Sequence, residues 1–318
     1  MSEQTSLKIL VMGADTELGD ETVRQLLARG HMVTGVAHDQ KGGLKVRETG
    51  AACFFISSVS VLELNSVLDR ASPDVIINLW PQRANSLLHD GNNWRNQAQF
   101  LPNSTQALLE ALKGRSSIFL VYASYAFLYG NNLAATEEAA ITAPANDPIF
   151  GAAIRAEKLV AASKIPACLL RMGYLYGPQS SDLKAYLQSF RLSRPYYAGP
   201  AGRLQPYLHY EDAAIALALV AERQAKGIFN VADPTPAAFG DFIDYFAVMS
   251  GFNKPLHIPT WAGPFAIIIA PPQIELLNQS VAVKSDKISR ALGWQPRYLN
   301  YRQGINQILQ KWQIAANK

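Results

Sequence analysis

Hydrophobic residues recur along the first half of the chain in two alternating patterns. Short apolar runs predict strands at residues 8–12, 33–37, 53–56, 75–79, 118–122 and 167–171. Apolar positions at helical spacing predict helices at residues 21–29, 104–112 and 152–162. This alternation predicts right-handed βαβ units, and therefore an α/β fold of the Rossmann type with a doubly wound parallel sheet. The ligands of such a sheet bind at the carboxyl ends of its strands.

The same pattern divides the chain into two unequal parts. We expect residues 1–175 to form a Rossmann-like nucleotide-binding domain. Beyond it, the pattern predicts a helix at 212–222, a strand at 229–231 and a helical, proline-rich tail. That tail is too discontinuous to form a core of its own. Residues 176–318 are therefore expected to fold back over the strand ends as a small lid, interleaved with the core.

The composition favours a globular protein with a large core, because 49% of the 318 residues are hydrophobic and 17% are charged. The net charge of +4 comes from scattered Lys and Arg residues, so no nucleic-acid footprint is evident. Cys53 and Cys168 fall in apolar runs without metal-ligand or CxxC spacing. They are expected to be buried thiols, with a redox or ligand role as the alternative.

The beginning of the chain changes from a polar tail directly to the first strand, which favours a cytoplasmic location. The most apolar stretch elsewhere, residues 261–272, is interrupted by prolines and is too short to form a transmembrane segment. It could be a helix of the lid that packs on the core. It could also lie on a membrane surface or on a partner protein.

Two other catalytic chemistries have no support in the sequence. The five His residues stand at no metal-ligand spacing, so no metal site is predicted. No G-x-S-x-G segment is present, so acyl transfer by a serine nucleophile is not predicted.

Six motifs occur in order: GADTELG at 13–19, ASYAFLYG at 123–130, LRMGYLYGP at 170–178, HYED at 209–212, FNV at 229–231 and LGWQP at 292–296. They resemble the GxxGxxG, SS-x-x-x-YG, LRPxxxYGP, VHVDD, YNV and LGWxP segments of the extended short-chain dehydrogenases/reductases, the NAD-dependent epimerase/dehydratase family. The match covers nearly the whole chain. It implies a dinucleotide site, a Tyr-x-x-x-Lys proton relay, and a homodimer that pairs the helices at 104–112 and 152–162.

The glycine turn departs from the family pattern. Gly13 and Gly19 keep the first and third glycines, but Thr16 replaces the second, where the backbone would approach the pyrophosphate. Four carboxylates lie in or just after the turn, those of Asp15, Glu17, Asp20 and Glu21. They could cap the free N–H groups of the following helix and repel a phosphate. NAD(P) binding is therefore disfavoured, although the Thr16 hydroxyl could instead donate to a phosphate.

The adenosine-binding positions have changed as well. Ala37 stands where the family has an acidic residue for the ribose, and His38 follows it. His38 could meet a 2′-phosphate or simply be solvated. Ser58 stands where the family has an Asp that contacts adenine. Trp80 replaces a small residue beside the groove, so its indole either turns into the core or fills the cofactor site, and we favour filling.

The catalytic positions have changed together. Phe150 and Ile154 occupy the positions of the family's Tyr and Lys, so neither the phenol nor the ammonium of the relay remains. Tyr125 occupies the position of the Ser or Thr that binds the substrate oxygen, and Ser124 precedes it. Both are candidate catalytic residues. Tyr125 could move a proton only if a cation such as Arg171 lowered its pKa, and a packing or hydrogen-bonding role is the alternative.

Three functions are compatible with these residues. The first is a non-redox binding or assembly protein, a pseudoenzyme that binds a small molecule or a protein partner. The second is an enzyme of altered chemistry, such as a dehydratase, isomerase or cyclase, that uses Tyr125. The third is an NAD(P)-dependent oxidoreductase or epimerase with a non-standard site. Gln205 and Pro206 stand where the family has a diphosphate-binding Arg, which argues against a nucleotide-sugar substrate.

Overall fold

The computed structural model describes residues 6–56, 58–80, 91–194, 196–198, 200–258 and 278–313, with the backbone alone at 91–98, 196 and 198. The apolar stretch 261–272 lies outside these residues, so both of its interpretations stay predictions. Among the residues described, no helix is both long enough and apolar enough to cross a bilayer.

The strands are β1 Lys8–Met12, β2 Met32–Ala37, β3 Ala52–Phe55, β4 Val75–Asn78, β5 Phe119–Tyr125, β6 Asn132–Ala135, β7 Ala167–Met172, β8 Tyr174–Tyr176, β9 Tyr196–Ala198, β10 Leu204–Gln205, β11 Tyr207–His209, β12 Gly227–Val231, β13 Ala237–Ala238, β14 Leu256–Ile258 and β15 Val281–Val283. The helices are α1 Glu17–Ala28, α2 Gln40–Glu48, α3 Val61–Ala71, α4 Gly91–Ala111, α5 Pro148–Ala162, α6 Ser181–Arg191, α7 Tyr210–Arg223, α8 Phe239–Met249, α9 Asp286–Leu292 and α10 Tyr301–Lys311.

Seven parallel strands form the central sheet, in the order β3-β2-β1-β4-β5-β7-β12. The predicted Rossmann-type doubly wound sheet is therefore confirmed. The strand order reverses at β1, since β2 and β3 lie on one side of it while β4, β5 and β7 lie on the other. Such a switch point leaves a crevice beyond the carboxyl ends of β1 and β4, where ligands of this fold bind.

Two helical layers bury the faces of the sheet. Leu26 of α1 and Leu217 of α7 belong to the apolar cluster on one face. Leu108 of α4 and Val160 of α5 belong to the cluster on the other. Because both faces are covered, strands β4 and β5 are buried along their whole length, as the continuous apolar runs of a parallel sheet predict.

The part of the chain after residue 176 shares this core. Strand β12 pairs with β7, so that Phe229 lies opposite Leu170, and α7 packs in the same cluster as α1. The C-terminal part adds an aromatic group of its own, in which the rings of Tyr207 and Phe242 stack at 4.5 Å. This group is continuous with the cluster that contains α4 and α5.

Three helices begin four or more residues before the sequence-based prediction, and one of them is α5, which begins at Pro148 rather than at residue 152. Helix α1 begins at Glu17 rather than at residue 21, because the turn before it caps the helix. Helix α4 begins at Gly91, well before residue 104, and contains Pro102. A proline in a polar segment normally argues against a helix interior, so the pattern did not indicate this extension.

The two cysteines differ in exposure. Cys168 is buried in β7, as predicted. Cys53 is only partly buried, because it lies on β3, the edge strand of the sheet. Burial raises the pKa of both thiols, which keeps them protonated and disfavours a redox or metal-ligand role.

Candidate active site

The turn between β1 and α1 has the backbone shape of a phosphate-binding loop. Gly13 has a φ of +80°, a conformation that residues with a side chain rarely adopt. A Cβ at Gly19 would overlap the carbonyl oxygen of Gly13, so only glycine lets α1 start so close to β1. The N-terminus of α1 therefore points into the crevice at the switch point, where helix N–H groups attract anions.

The Thr16 side chain forms two hydrogen bonds within this turn. Its hydroxyl donates to the carbonyl of Gly13 at 2.7 Å and accepts from the N–H of Gly19 at 3.1 Å. The cap of α1 is therefore the Thr16 hydroxyl rather than a carboxylate, which corrects one interpretation of the acidic residues. The hydroxyl already has two partners, so donation to a phosphate would break an existing hydrogen bond.

Two carboxylates connect the turn to the C-terminal part instead. Glu17 accepts the N–H of Ser181 at 2.7 Å and the hydroxyl of Tyr210 at 2.6 Å. Glu21 accepts from the side-chain amide of Gln179 at 3.0 Å. Burial, together with the charge of a nearby glutamate, raises the pKa of Glu21. These two carboxylates therefore bind the C-terminal part of the chain.

Trp80 lies where β1 and β2 end, and it belongs to one of the buried apolar clusters of the sheet. Its indole N–H donates to Nδ1 of His38 at 3.0 Å, and the two rings meet edge to face at 4.3 Å. Only 3% of Trp80 is exposed. Its Cδ1 atom lies 3.2 Å from the position that a Cβ on Gly13 would take. The indole therefore lies directly against the turn, between the ends of β1 and β2.

Asp15 lies beside this pair and was not predicted to matter on its own. Its Oδ2 atom accepts the backbone N–H of His38 at 3.2 Å. Burial alone would raise its pKa, but the hydrogen bonds and the charge of His38 outweigh burial and lower it. Its Oδ1 atom is buried and has no hydrogen-bond partner within the described part of the chain.

The catalytic positions of the family form an apolar block. Phe150 is 2% exposed and Ile154 is 7% exposed. Their neighbours Ile149 and Ala153 are also buried and apolar, so a shift of the alignment by one residue still gives neither phenol nor ammonium. Tyr125 belongs to the same cluster. Burial, with a smaller contribution from a nearby tyrosine, raises its pKa, which makes it a poor proton donor at neutral pH.

Ser124 faces a buried ion pair rather than the crevice. Its hydroxyl donates to Glu157 at 2.5 Å. Glu157 also accepts three hydrogen bonds from Arg171, at 3.0 and 3.2 Å from Nε and at 2.6 Å from Nη2. The Arg171 guanidinium lies 4.8 Å above the ring of Tyr129. Arg171 is therefore committed to Glu157, and the pKa of Tyr125 is raised rather than lowered.

Two further ionisable groups are buried in the C-terminal part. His209 caps α7 by accepting the N–H of Glu211 at 3.2 Å, and burial lowers its pKa to about 4. Asp233 accepts the N–H of Thr235 at 3.0 Å. Burial raises the pKa of Asp233 to about 8, with a smaller contribution from the charge of Asp212. Near neutral pH both groups are therefore mainly uncharged.

The sequence comparisons agree with this geometry. The model of the NAD dependent epimerase/dehydratase family matches residues 9–232, which is more than half of the chain. The chain belongs to this family.

One named relative and two solved structures are similar to this chain over nearly its whole length. A 3-diazoavenalumate denitrifying reductase from Streptomyces sp is 27% identical over 310 residues, covering 94% of this chain and 99% of the relative. The dTDP-glucose 4,6-dehydratase of Bacillus anthracis, solved with NAD, superposes with a TM-score of 0.76 at 17% identity over 96% of both chains. A UDP-glucose-4-epimerase of Stenotrophomonas maltophila, also with NAD, has a TM-score of 0.73 at 19% identity and covers 96% and 98% of the two chains. At these identities the two structures establish the fold alone.

The epimerase/dehydratase family implies a nicotinamide dinucleotide, and the crevice fits that group only in part. The turn at Gly13 and Gly19 has the close backbone approach that a pyrophosphate needs. At the adenosine end, the Trp80 indole lies against Gly13 and donates to His38, a position that would oppose a bound nucleoside. The pyrophosphate end thus fits as the backbone stands, and the adenosine end fits once the indole turns away.

Ser58 is held at the start of α3 by hydrogen bonds. Its hydroxyl donates to Glu63 at 2.6 Å, and Glu63 in turn donates its backbone N–H to the side chain of Ser60, which caps α3. This capping pattern holds Ser58 to the start of α3. Contact with an adenine therefore stays a prediction for this residue.

The sequence analysis placed Asp15 only among the four carboxylates of the turn, and it did not single out Glu157. Glu157 follows Ile154 by three residues and Phe150 by seven, so it lies on the buried face of α5, and a carboxylate on such a face signals a buried partner. Asp15 carried no signal of its own, because its role depends on the end of β2. In the described ranges, no group of His, Cys, Asp and Glu side chains is arranged to hold a metal ion.

Proposed function

We propose that this protein is a nicotinamide-dependent reductase whose hydride acceptor needs no proton from the enzyme. The observation that carries the proposal is the apolar block at Phe150 and Ile154, where the family's relay would supply that proton. The 27% identity to a protein named as a reductase, over 94% of this chain, supports the redox part of the proposal. The proposal departs from the pseudoenzyme hypothesis, which the same block had favoured.

The need for a proton relay depends on the acceptor. Hydride addition to a carbonyl group produces an alkoxide, which must be protonated, and a positioned acid serves that step. An arenediazonium ion is different. A new C–H bond forms with the electron pair of the hydride, the C–N bond breaks, and its electron pair leaves with N2. The products are neutral without any proton transfer. The relative named as a denitrifying reductase acts on a diazo compound, and we propose an acceptor of this class here.

The residues of the crevice would then bind and shield rather than exchange protons. A reduced nicotinamide dinucleotide, when bound, supplies the hydride. The turn at Gly13 and Gly19 would hold its pyrophosphate at the N-terminus of α1. Tyr125 and Phe150 lie in one cluster of buried side chains, which would exclude water from an electrophile that water destroys.

One observation favours a second candidate, a binding or assembly protein without redox activity. Trp80 is buried, with 3% of its surface exposed, and its indole N–H donates a hydrogen bond to His38. A ring that is packed and hydrogen-bonded in this way resists displacement. If the indole never leaves, the crevice remains closed to a dinucleotide and the fold serves another purpose.

Calorimetric titration of the wild-type protein with NADH and with NADPH distinguishes the two candidates. We expect one of them to bind with a Kd below ~1 mM, equivalent to about −4 kcal/mol. A benzenediazonium salt is then added with a dinucleotide deuterated at C4. Deuterated benzene, formed only with protein and dinucleotide together, is the expected product. Absence of dinucleotide binding, both in the wild type and in a folded Trp80→Ala variant, would favour the assembly protein.

We also propose the homodimer that the family resemblance implies, with α4 and α5 of two copies packed together. These helices lie side by side and leave a surface groove lined by Gln106, Lys158 and Leu159. Light scattering on a size-exclusion column tests this. Twice the chain mass of 34.8 kDa is expected, and a mass of one chain across the concentration range would contradict the dimer.

A further inference from the structure

The end of β2 carries a carboxylate that does not come from β2. In dinucleotide-binding sheets, an acidic residue at this strand end normally accepts hydrogen bonds from the adenosine ribose. Here the strand ends in Ala37. Asp15, from the turn after β1, reaches the same strand end and accepts the backbone N–H of His38 at 3.2 Å. A carboxylate is therefore present where the ribose is usually held, although it comes from another element.

The surroundings of Asp15 fit a carboxylate at this place. A Cβ on Gly42, in the first turn of α2, would lie 2.6 Å from its Oδ2 atom, so the glycine makes room for the acid. The side chain of Asp15 is 11% exposed. The hydrogen bonds and charge of His38 more than offset the effect of burial, so its pKa is lowered and it is ionised near neutral pH.

One oxygen of this carboxylate is available for a ligand. Oδ1 is buried and accepts no hydrogen bond from the described residues. A buried ionised oxygen without a donor is costly, and such atoms in native proteins call for an explanation. The hydroxyls of a ribose are donors, and they would satisfy Oδ1 once the neighbouring Trp80 indole has turned away.

On the basis of the proposed function, we infer that Asp15 accepts the ribose hydroxyls of the dinucleotide and selects NAD(H) over NADP(H). A 2′-phosphate would remove one donor and place a dianion against the carboxylate. The carboxylate of Asp39 lies close to the same strand end, where it caps α2 at the N–H of Gly42 at 2.7 Å. Two carboxylates thus lie at this strand end, where both would repel a 2′-phosphate.

Lys41 carries a positive charge near this strand end, because it is an exposed residue in the first turn of α2. Its charge would favour a 2′-phosphate, whereas the two carboxylates disfavour it. A lysine in this position could pair with a 2′-phosphate and give the opposite preference. Lys41 therefore provides the matched control for Asp15, because the two side chains predict opposite selectivities at the same strand end.

The test titrates NADH and NADPH into the wild type and into Asp15→Asn, Asp15→Ser and Lys41→Met variants, with affinity measured by calorimetry. Thermal unfolding checks that each variant is folded, and the two substitutions at Asp15 guard against a loss of folding in one of them. We expect the wild type to bind NADH at least ten-fold more tightly than NADPH. Both Asp15 variants should lose about ten-fold in NADH affinity, or ~1.4 kcal/mol, and most of the preference. Lys41→Met should change neither affinity.

The results that overturn the inference differ from those that overturn the proposed function. NADH affinity unchanged in both folded Asp15 variants, or a wild-type preference for NADPH that Lys41→Met abolishes, refutes the role of Asp15 while leaving a dinucleotide-dependent protein. Failure of both dinucleotides to bind, in the wild type and in Trp80→Ala alike, refutes the proposed function and the inference together.

Discussion

The indole N–H of Trp80 donates to Nδ1 of His38 across 3.0 Å. Since an indole nitrogen can only donate, Nδ1 of His38 is the acceptor of this hydrogen bond. The same Nδ1 atom lies 3.4 Å from Oδ2 of Asp15. One ring thus joins Trp80 to the carboxylate that we assign to the ribose.

The first prediction concerns the Trp80 ring. Replacement by alanine should raise the affinity for NADH at least ten-fold, because binding no longer has to displace a packed and hydrogen-bonded indole. Calorimetry on the folded variant measures this. Trp312→Phe, at the end of α10, is the control and should leave affinity unchanged.

Unaltered affinity in Trp80→Ala would mean that the indole is not the obstacle. Trp80→Ala alone is a cleaner test than a combination with a change at Thr16. The Thr16 hydroxyl caps α1, and loss of such a cap costs about 1 kcal/mol.

The second prediction concerns Tyr125. If the acceptor needs no proton from the enzyme, Tyr125→Phe should lower the rate of hydride transfer by less than about ten-fold, since it keeps the ring and removes a hydroxyl whose raised pKa makes it a poor acid. Single-turnover oxidation of NADH by a benzenediazonium salt measures this rate. Loss of more than about a thousand-fold, in a variant of normal stability, would instead support the altered-chemistry enzyme that relies on the phenol.

The third prediction concerns the buried pair of Glu157 and Arg171. Glu157→Leu or Arg171→Met should each lower the free energy of unfolding by roughly 3–5 kcal/mol, because each leaves one charge buried without its partner. The double variant should lose much less than the sum of the two. Denaturant unfolding measures all three.

The exposed pair of Asp20 and Arg24 on α1 is the control for this cycle, because 30% and 54% of those side chains are exposed. Removal of that pair should cost less than about 1 kcal/mol. Additive losses at Glu157 and Arg171 would show that the two side chains act independently.

The fourth prediction concerns pH and Asp233. Its pKa is raised to about 8 in the folded protein and is near 4 in the unfolded chain. The folded state therefore binds the extra proton between these values, and stability falls as pH rises through them. His209, with its pKa lowered to about 4, has the opposite effect, but only below pH ~6.5.

Between pH ~6.5 and ~8, Asp233 should therefore lower the wild-type free energy of unfolding by roughly 1–2 kcal/mol. Asp233→Asn should remove that decline and raise stability at pH ~8. Denaturant unfolding at several pH values measures it, with Asp241→Asn, an exposed change on α8, as the control. An equal decline in Asp233→Asn and wild type would mean that this carboxyl does not titrate there.

The sequence predicted the strands of the sheet better than the details of the crevice. Residues 8–12 form β1 with the predicted bounds, because the four residues after Lys8 are apolar and buried. The Trp80 indole was expected to fill the cofactor crevice, and it lies against Gly13. Asp15 and Glu157 could not be placed from sequence alone, since each acquires its partner only when distant segments come together. Helix α4 was predicted too short, because Pro102 and polar residues conceal its first turns.

The pairing of β7 with β12 has a consequence for folding during synthesis on the ribosome. Strand β7 is complete at Met172, but its outer edge is covered only by β12, which ends at Val231. During synthesis, the nascent chain therefore carries an open sheet edge until some 60 further residues have left the ribosome. Unpaired edges recruit other strands. We expect fragments that stop between these residues to aggregate on the ribosome or to require a chaperone, whereas chains that extend beyond residue 231 can pair β12 with β7.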